Sequence, residues 1–483
     1  MVQSTQEKET DFSLRTDYQH NDDQTPPSGK VRSDAVKGIV ITAIAAIIAY
    51  FLATSILPFE PLVNKGLALA TFIGILWLTE AIHITATAIL VPMLAIFIGI
   101  PEYDTKKALT SFADPIIFVF FGGFALAAAM HVQKLDRKIA FGLVGLAGGH
   151  LGRAIVMIFA VTAFLSMWIS NTATAAMMLP LAIGLLSHVD VSKDRNTFIF
   201  VLLGIAYSAS IGGIGALVGS PPNGIAAKEL GLDFMGWMKF GVPVMLVSLP
   251  VLLAVMYLIL RPNLSHKVSL MYEDIPWTMP RVMTIVVFVI TAISWIFGKQ
   301  LGEMFGFKSP DTVIALFAAV AVLMLGLVSW KQVSDNTDWG VLMLFGGGIA
   351  LSGIMRDTGA SAVLAEQISG GLAGASAFIV ILVVAAFIIF LTEFTSNTAS
   401  AALLVPLFAP IGTALGLPPE ILVMVIGIGA SCAFMMPVAT PPNAIVMGTG
   451  YIKQGDMMKV GFFLNLNLAA VAIVTIMAYL LWM

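Results

Sequence analysis

The stretch "SNTATAAMMLP" occupies residues 170–180, and "SNTASAALLVP" occupies residues 396–406. Both lie inside long apolar segments, where burying an Asn side chain without hydrogen-bond partners costs about 2–7 kcal/mol. Two copies of the same three polar residues, 226 positions apart, therefore need an explanation. One is structural, because small polar side chains hydrogen-bond between packed transmembrane helices. The other is a binding site to which both copies contribute.

The composition is that of a membrane protein. Of the 483 residues, 58% are hydrophobic and only 11% are charged, with a mean hydropathy of +0.95. Soluble domains carry about 25% charged residues. We predict an all-α polytopic membrane protein, because the period-two alternation of a transmembrane β-barrel is missing. The net charge of −3, without a basic cluster, predicts no nucleic-acid partner, and the single cysteine, Cys432, excludes an intramolecular disulfide.

About eleven apolar stretches are long enough to cross a bilayer, which takes about 20 residues per helix. They are 36–58 (within a first transmembrane unit, 36–64), 66–82, 84–100, 114–132, 197–227, 239–261, 281–298, 311–330, 339–355, 419–449 and 458–482. Two further stretches, about 151–187 and 375–413, contain the Ser-Asn-Thr motifs near their centres. Each is either one overlong helix or a re-entrant hairpin. A hairpin would place irregular backbone at membrane depth, which is tolerated only where protein or a water-filled cavity surrounds it.

The polar segment 1–35 is expected to be a disordered cytoplasmic tail, since it cannot form an apolar core. It lacks an apolar stretch at its start and is therefore not read as a cleaved signal peptide. The distribution of Lys and Arg favours a cytoplasmic N-terminus and an extracytoplasmic C-terminus in the inner membrane. This distribution does not distinguish hairpins from full crossings.

Three motif pairs recur in the same order. "FFGGFAL" at 120–126 matches "LFGGGIAL" at 344–351, and "GSPPNGIA" at 219–226 matches "ATPPNAIV" at 439–446. The offsets of 224, 226 and 220 residues are nearly constant. The chain is therefore predicted to contain a duplicated unit of about 200 residues.

The first repeat is predicted to cover 65–262 and the second 280–483. Hairpins lie at about 151–187 and 375–413, and broken helices at about 197–227 and 419–449. If the hairpins are re-entrant, five crossings separate them, so the second repeat is inverted. Inverted repeats with broken helices are typical of secondary transporters, with the site at the midplane. Charge-bearing amphipathic stretches at 133–146 and 356–370 are predicted to lie at the interface.

The paired prolines indicate what the broken helices do. Pro221-Pro222 and Pro441-Pro442 each remove two backbone donors and prevent a continuous helix through the preceding turn. Carbonyl oxygens freed near Gly219 and Ala439, with hydroxyls and an Asn amide oxygen, are suited to Na⁺. Helix N-termini that begin at the breaks are suited to an anion. The plainer interpretation is a proline kink, with "GALVG" at 215–219 as a close-packing face.

Charged side chains are scarce in these regions. Glu393 lies three residues before the second motif and is interpreted as a proton site, a cation ligand or a carboxylate capped by N–H groups; its equivalent in the first repeat is Met167. No Arg or Lys lies at the centre of either motif region. A bound anion would therefore need cations as counter-charge, which favours cation-coupled uptake of an anion.

At these residues the sequence resembles the divalent anion/sodium symporter family, and in particular its bacterial sodium-coupled C4-dicarboxylate transporters. The resemblance extends over about residues 36–483. It implies that the Ser-Asn-Thr motifs form the tips of two re-entrant hairpins facing the broken helices. It also implies a homodimer in the lipid bilayer whose transport part moves as an elevator, with Na⁺ as the coupling ion and no organic cofactor.

Carried over by position, the resemblance implies two Na⁺ sites and a dicarboxylate between them. The first Na⁺ site would comprise Ser166, Ser170, Asn171 and the backbone of Gly219. The second would comprise Thr392, Ser396, Asn397 and the backbone of Ala439. The substrate would lie beside Asn171, Thr172, Ser220, Asn397, Thr398, Thr440 and Pro441.

The leading hypothesis is a Na⁺-driven importer of succinate, malate and fumarate. Alternatives within transport are a Na⁺-independent dicarboxylate exchanger and a carrier of citrate or sulfate. A membrane-embedded enzyme is a second class of function, but the sequence has neither an H-E-x-x-H nor a G-x-S-x-G motif. A channel is the third class, although inverted repeats with broken helices fit alternating access better.

Overall fold

The computed structural model describes residues 33–187, 189–266, 275–371 and 376–482; the side chains of 33, 34 and 472–482 are not described. All regular structure in these ranges is helical. The all-helical fold predicted from composition is therefore confirmed. The predicted tail, 1–35, lies outside the described residues except for its last three positions.

The first half of the chain forms eleven of the described α-helices. They are α1 Ser33–Phe51, α2 Pro61–Thr79, α3 Ile84–Phe97, α4 Thr105–Leu109, α5 Pro115–Val132, α6 Leu135–Gly145, α7 Leu151–Ser166, α8 Asn171–Leu186, α9 Val191–Ile214, α10 Pro221–Leu230 and α11 Phe234–Leu260. A π-helical turn extends α1 to Ile56.

The second half forms eleven more within the described ranges. They are α12 Met279–Ile296, α13 Gly298–Phe305, α14 Pro310–Met324, α15 Trp330–Asp335, α16 Trp339–Asp357, α17 Ala360–Gly371, α18 Ala377–Thr392, α19 Asn397–Ala414, α20 Pro419–Gly429, α21 Pro441–Met447 and α22 Gln454–Trp482.

Local sequence sets most of these boundaries. Proline stands in the first turn of α2, α5, α10, α12, α14, α20 and α21, where its missing N–H has no intrahelical partner to lose. Aspartates cap α5 and α11: Asp114 accepts from the N–H of Ile116, and Asp233 from that of Gly236.

By length and composition, eight of the described helices are able to cross a membrane, or nine if α13 and α14, which meet at 94°, form one bent span. The multi-span character predicted from the sequence is confirmed. The count of eleven, the duplicated unit and the re-entrant path remain predictions. The stretches 133–146 and 356–370, expected at the interface, correspond to the short helices α6 and α17.

The sequence did not predict the short helices α4, α13 and α15. The predicted segment 311–330 is too long, because α14 ends at Met324 and Gly326 adopts a φ of +64° that few other residues tolerate. Ser329 and Gln332 then form a capping box that starts α15.

Glycines allow two helix pairs to approach closely. A Cβ on Gly122 of α5 would lie 2.5 Å from the carbonyl oxygen of Ala315 in α14. A Cβ on Gly347 of α16 would lie 2.6 Å from the Cα of Ala88 in α3. Each pair joins a helix of one half of the chain to a helix of the other. The motifs "FFGGFAL" and "LFGGGIAL" therefore contribute close-packing faces, as small residues do in membrane helices.

We predict that Gly122→Ala destabilises the protein by about 1–3 kcal/mol, because the added methyl group overlaps Ala315. The measurement is the melting temperature of the purified protein in detergent. Gly142→Ala is the matched control, since no described heavy atom lies within 4 Å of its Cβ position. A Gly122→Ala protein that melts at or above the wild-type temperature would contradict this packing.

Candidate functional site

The first Ser-Asn-Thr motif lies at a break between two helices. α7 ends at Ser166 and α8 begins at Asn171, so the four residues between them leave the helical path. The hydroxyl of Ser166, which is fully buried, donates a 2.6 Å hydrogen bond to Oδ1 of Asn171. Two side chains that the family resemblance assigns to one Na⁺ site are thus in direct contact.

Backbone carbonyl oxygens of the first broken helix and of Met167 lie close to this pair. A Cβ on Gly213 would lie 2.5 Å from Oδ1 of Asn171 and 3.1 Å from the carbonyl oxygen of Gly219. A Cβ on Gly219 would lie 2.5 Å from the carbonyl oxygen of Gly213 and 3.0 Å from that of Met167. Glycine at both positions lets three carbonyls, one amide oxygen and one hydroxyl converge. We refer to these five residues, Ser166, Met167, Asn171, Gly213 and Gly219, as the first oxygen cluster.

The second motif has the same arrangement at its centre. α18 ends at Thr392 and α19 begins at Asn397. The buried hydroxyl of Thr392 lies 2.5 Å from Oδ1 of Asn397 and 3.0 Å from the carbonyl oxygen of Ala430, in the second broken helix. We refer to Thr392, Asn397 and Ala430 as the second oxygen cluster.

Asn223 and Asn443 hold the two breaks open. The amide of Asn223 donates to the carbonyls of Gly213 and Ala216, at 2.8 and 2.7 Å. The amide of Asn443 donates to the carbonyls of Ala433 and Met436, both at 3.0 Å. Each Asn therefore satisfies carbonyls that the break leaves without helical partners. Its own Oδ1 is buried and has no hydrogen-bond partner among the described residues.

The first serine of each motif caps a helix. Ser170 accepts a 3.2 Å hydrogen bond from the N–H of Ala173, and Ser396 accepts one of 3.4 Å from that of Ala399. Thr172 and Thr398 lie in the first turns of α8 and α19 and are half-buried. In the described part of the chain, the two threonine hydroxyls make no hydrogen bond, so both are free to contact a ligand.

The remaining predicted residues lie at the second half of each broken helix. Ser220 is buried, and its hydroxyl lies 3.2 Å from that of Ser431 in the second break. Thr440 accepts a 3.3 Å hydrogen bond from the N–H of Asn443, and Pro441 beside it is exposed. Ala439 donates to the carbonyl of Met436; no hydrogen bond among the described residues joins it to the second oxygen cluster.

Each broken helix contacts the hairpin of the opposite half. α10 packs against α19, which begins at Asn397, and α21 packs against α8, which begins at Asn171. The four helices that begin at the breaks, α8, α10, α19 and α21, are therefore packed in two pairs that each join the halves of the chain. Their first-turn N–H groups lack intrahelical partners and carry partial positive charge, so these helix N-termini are suited to an anion.

Glu393 lies in the turn between α18 and α19 and is 1% exposed. Its carboxylate accepts hydrogen bonds of 2.8–3.0 Å from the backbone N–H groups of Phe434, Met435 and Met436, and one of 2.7 Å from Asn465. Of the three interpretations of Glu393, the geometry favours the carboxylate capped by N–H groups. Its oxygens are occupied by donors and are directed at backbone rather than at a cation.

Sequence reasoning missed several parts of this region. The carbonyls of Met167, Gly213 and Ala430 carry no side-chain signal, so only the fold brings them to the clusters. Ser431 and Asn465 were missed as well, although an Asn inside the apolar segment 458–482 is a signal that could have drawn attention to Asn465.

Comparison with known proteins identifies the family. The model of the sodium:sulfate symporter transmembrane region matches residues 33–483. The chain therefore belongs to this family, also called the divalent anion/sodium symporters, and the predicted resemblance is confirmed. Its relatives are membrane transporters, so the protein is a multi-span membrane transporter and not an enzyme.

Individual relatives are similar over most of their length. An uncharacterized transporter of Haemophilus influenzae is 53% identical over 451 residues, 92% of this chain and 97% of that protein. The sodium-dependent dicarboxylate transporter SdcS of Staphylococcus saprophyticus is 33% identical over 471 residues, 88% of each chain. The crystal structure of the Alcanivorax borkumensis YdaH transporter covers 92% of this chain and 98% of its own, with a TM-score of 0.56 at 14% identity, and so shares the fold.

We predict that Glu393→Gln lowers the stability of the protein by about 1–3 kcal/mol. A neutral amide offers one acceptor oxygen where the carboxylate offers two, and its NH₂ group faces N–H donors, so buried donors lose their partners. The measurement is the melting temperature in detergent, with the exposed Glu366→Gln as control. Equal melting temperatures for Glu393→Gln and wild type would show that the carboxylate does not hold the second break.

Proposed function

We propose that the protein is a secondary active transporter that imports C4-dicarboxylates such as succinate, malate and fumarate together with Na⁺. The observation that carries the proposal is the pair of oxygen clusters, each built from a hydroxyl, an Asn amide oxygen and backbone carbonyls. Neutral oxygen donors of this kind suit a hard monovalent cation. The sodium-dependent dicarboxylate transporters among the relatives support the same conclusion.

In this proposal each cluster holds one Na⁺. Ser166, Ser170, Asn171 and the carbonyl of Gly219 bind the first ion. Thr392, Ser396, Asn397 and the backbone at Ala439 bind the second, with the carbonyl of Ala430 as a further ligand. The hydrogen bonds from Ser166 and Thr392 to the Asn amide oxygens hold these oxygens in place before the ion arrives.

The dicarboxylate lies between the two clusters, beside the N-termini of α8, α10, α19 and α21. Asn171 and Asn397 donate to its carboxylates, Thr172 and Thr398 supply free hydroxyls, and Ser220, Thr440 and Pro441 flank it. Since the motif regions contain no Lys or Arg at their centres, the bound Na⁺ ions provide the positive charge that the dianion needs. Anion binding therefore depends on prior cation binding, which is the basis of symport.

The transport cycle in this proposal is an elevator. The two hairpins are re-entrant, one from each side, and move with the broken helices against a scaffold that dimerises with a second copy in the cell membrane. The N-terminus is cytoplasmic and the C-terminus extracytoplasmic. If more than two Na⁺ accompany each dianion, net positive charge enters the cell, and each net charge gains about 2.3 kcal/mol per 100 mV.

A carrier of another divalent anion, or a Na⁺-independent exchanger, is the second candidate. The family description names sulfate, and the hydroxyl and amide groups of this region suit several dianions. Competition by citrate and sulfate, and a requirement for internal dicarboxylate, distinguish these candidates from succinate symport.

We predict that Asn171→Ala and Asn397→Ala each abolish Na⁺-driven uptake, because each removes a cation ligand and an anion donor together. The measurement is radiolabelled succinate uptake into proteoliposomes under an inward Na⁺ gradient, compared with an equal choline gradient. Asn467→Ala, at an exposed position on α22, is the matched control. Undiminished uptake by either cluster variant would refute the assignment of the site.

We further predict that Ser166→Ala and Thr392→Val raise the half-saturating Na⁺ concentration about 2- to 12-fold, as expected for the loss of one interaction of about 0.5–1.5 kcal/mol. Ser187→Ala and Thr413→Val, whose hydroxyls bond only to exposed backbone carbonyls, are the controls. Uptake that proceeds equally in choline would instead place the protein with the exchangers.

A further inference from the structure

A cleft with a volume of about 100 Å³ lies between α10, α16 and α19. Apolar residues in its lining include Phe345 and Ile349 from α16 and Pro406 from α19. Its polar rim consists of Lys228, Glu229, Ser352 and Arg356. The cleft is therefore a slot lined by apolar and by polar or charged side chains in about equal parts.

Two of the helices that line the cleft begin at the proposed substrate region. α10 begins at Pro221, and the lining residue Lys228 lies two turns further, about 10 Å along the helix axis. α19 begins at Asn397, and the lining residue Pro406 lies about 14 Å further. The cleft thus lies along both helices, between the proposed substrate region and the ends of α10 and α16.

Most of the charges near the rim are already engaged. Lys228 pairs with Asp114 at 2.5 Å, and the carboxylate of Glu229 accepts a 3.3 Å hydrogen bond from Ser352. Asp357, next to Arg356 in sequence, pairs with Lys107 at 3.5 Å and accepts from Tyr103 at 3.0 Å. Burial and this hydrogen bond raise the pKa of Tyr103, so its hydroxyl remains a donor at physiological pH.

Arg356 differs from these groups. It is exposed at the end of α16, and the structure gives its guanidinium no ion pair or hydrogen bond with any described residue. A guanidinium presents two parallel N–H groups that match a carboxylate. Arg356 is therefore a cation available to an anion that enters the slot.

We propose that Arg356 is the entry site for the dicarboxylate, binding one carboxylate at the rim before the anion reaches the four helix N-termini. This inference rests on the proposed function and adds a residue that determines the capture of substrate rather than its coupling to Na⁺. Lys228 is neutralised by Asp114, which leaves Arg356 as the attracting charge, and the carboxylate of Glu229 in the same lining limits how tightly the anion is held before it moves inward. Such a site accelerates association, as electrostatic steering does, and its effect falls with salt.

The test measures initial rates of Na⁺-driven succinate uptake against succinate concentration, supplied on the side where α10 ends. Arg356→Gln is expected to raise the half-saturating succinate concentration at least about threefold, with the maximal rate within about twofold of wild type. Arg356→Lys should recover part of the loss. Added choline chloride should raise the half-saturating succinate concentration of the wild type by a larger factor than that of Arg356→Gln. Lys331→Gln removes a positive charge from an exposed side chain of α15 and is the control.

A second readout uses the introduced thiol of Arg356→Cys, because the native Cys432 is buried. A cationic thiol reagent should restore the wild-type half-saturating concentration, an anionic reagent should raise it further, and succinate should slow both modifications. The same variants are tested in vesicles of zwitterionic lipid alone.

The outcomes separate the two proposals. Absence of Na⁺-driven uptake by the wild type would overturn both the proposed function and the role of Arg356. If the wild type shows Na⁺-driven uptake and Arg356→Gln has the same half-saturating succinate concentration, only the proposed entry site is overturned. A defect that disappears in zwitterionic vesicles would assign Arg356 to an anionic lipid headgroup and would likewise overturn it.

Discussion

The need to satisfy backbone polar groups at membrane depth is the constraint on which the rest of this structure depends. A helix that stops in the bilayer exposes carbonyls and N–H groups, each of which costs several kcal/mol unless it finds a partner. Asn223 and Asn443 meet this requirement in the same way, each donating to two carbonyls of its own break. The paired prolines interrupt the helix, and the Asn that follows them makes the interruption tolerable. The oxygen clusters exist because these two residue types act together.

The two breaks nevertheless differ in length. α9 remains helical to Ile214, whereas α20 ends at Gly429, five residues before the position equivalent to Ile214. By the 220-residue offset of the proline motifs, the position equivalent to Ile214 is Phe434. The N–H groups of Phe434, Met435 and Met436 donate to Glu393 instead of to helix carbonyls. The first half has Met167 in place of Glu393 and cannot offer this alternative. One carboxylate thus explains why the second break is longer.

The sequence predicted the parts of this arrangement that side chains signal. The motif pairs and the helix breaks follow from residue type and spacing, whereas the grouping of Ser166 with Asn171 and of Thr392 with Asn397 came from the family resemblance. The carbonyls of Gly213 and Ala430 could not be predicted, because backbone atoms are present at every position and only tertiary packing selects among them. The role of Glu393 was open for the same reason, since its partners are N–H groups 41–43 residues away. Short helices such as α15 depend on a single cap, which is a weak signal beside an apolar segment.

Helices that begin at the breaks of one half pack against helices of the other half, and these contacts suggest how the binding of ions and of the anion would be coupled. α10 starts beside the first oxygen cluster but packs on α19, whose N-terminus belongs to the second; α21 and α8 make the reciprocal contact. The hydroxyls of Ser220 and Ser431 join the two breaks directly at 3.2 Å. A cation that orders one break therefore also fixes a helix N-terminus that faces the other cluster. In the proposal, Asn171 and Asn397 each bind a cation through the amide oxygen and the anion through the NH₂ group, so both events use the same two side chains. Under the proposed function, coupling then needs no long-range pathway: the ions complete the surface that the dianion binds.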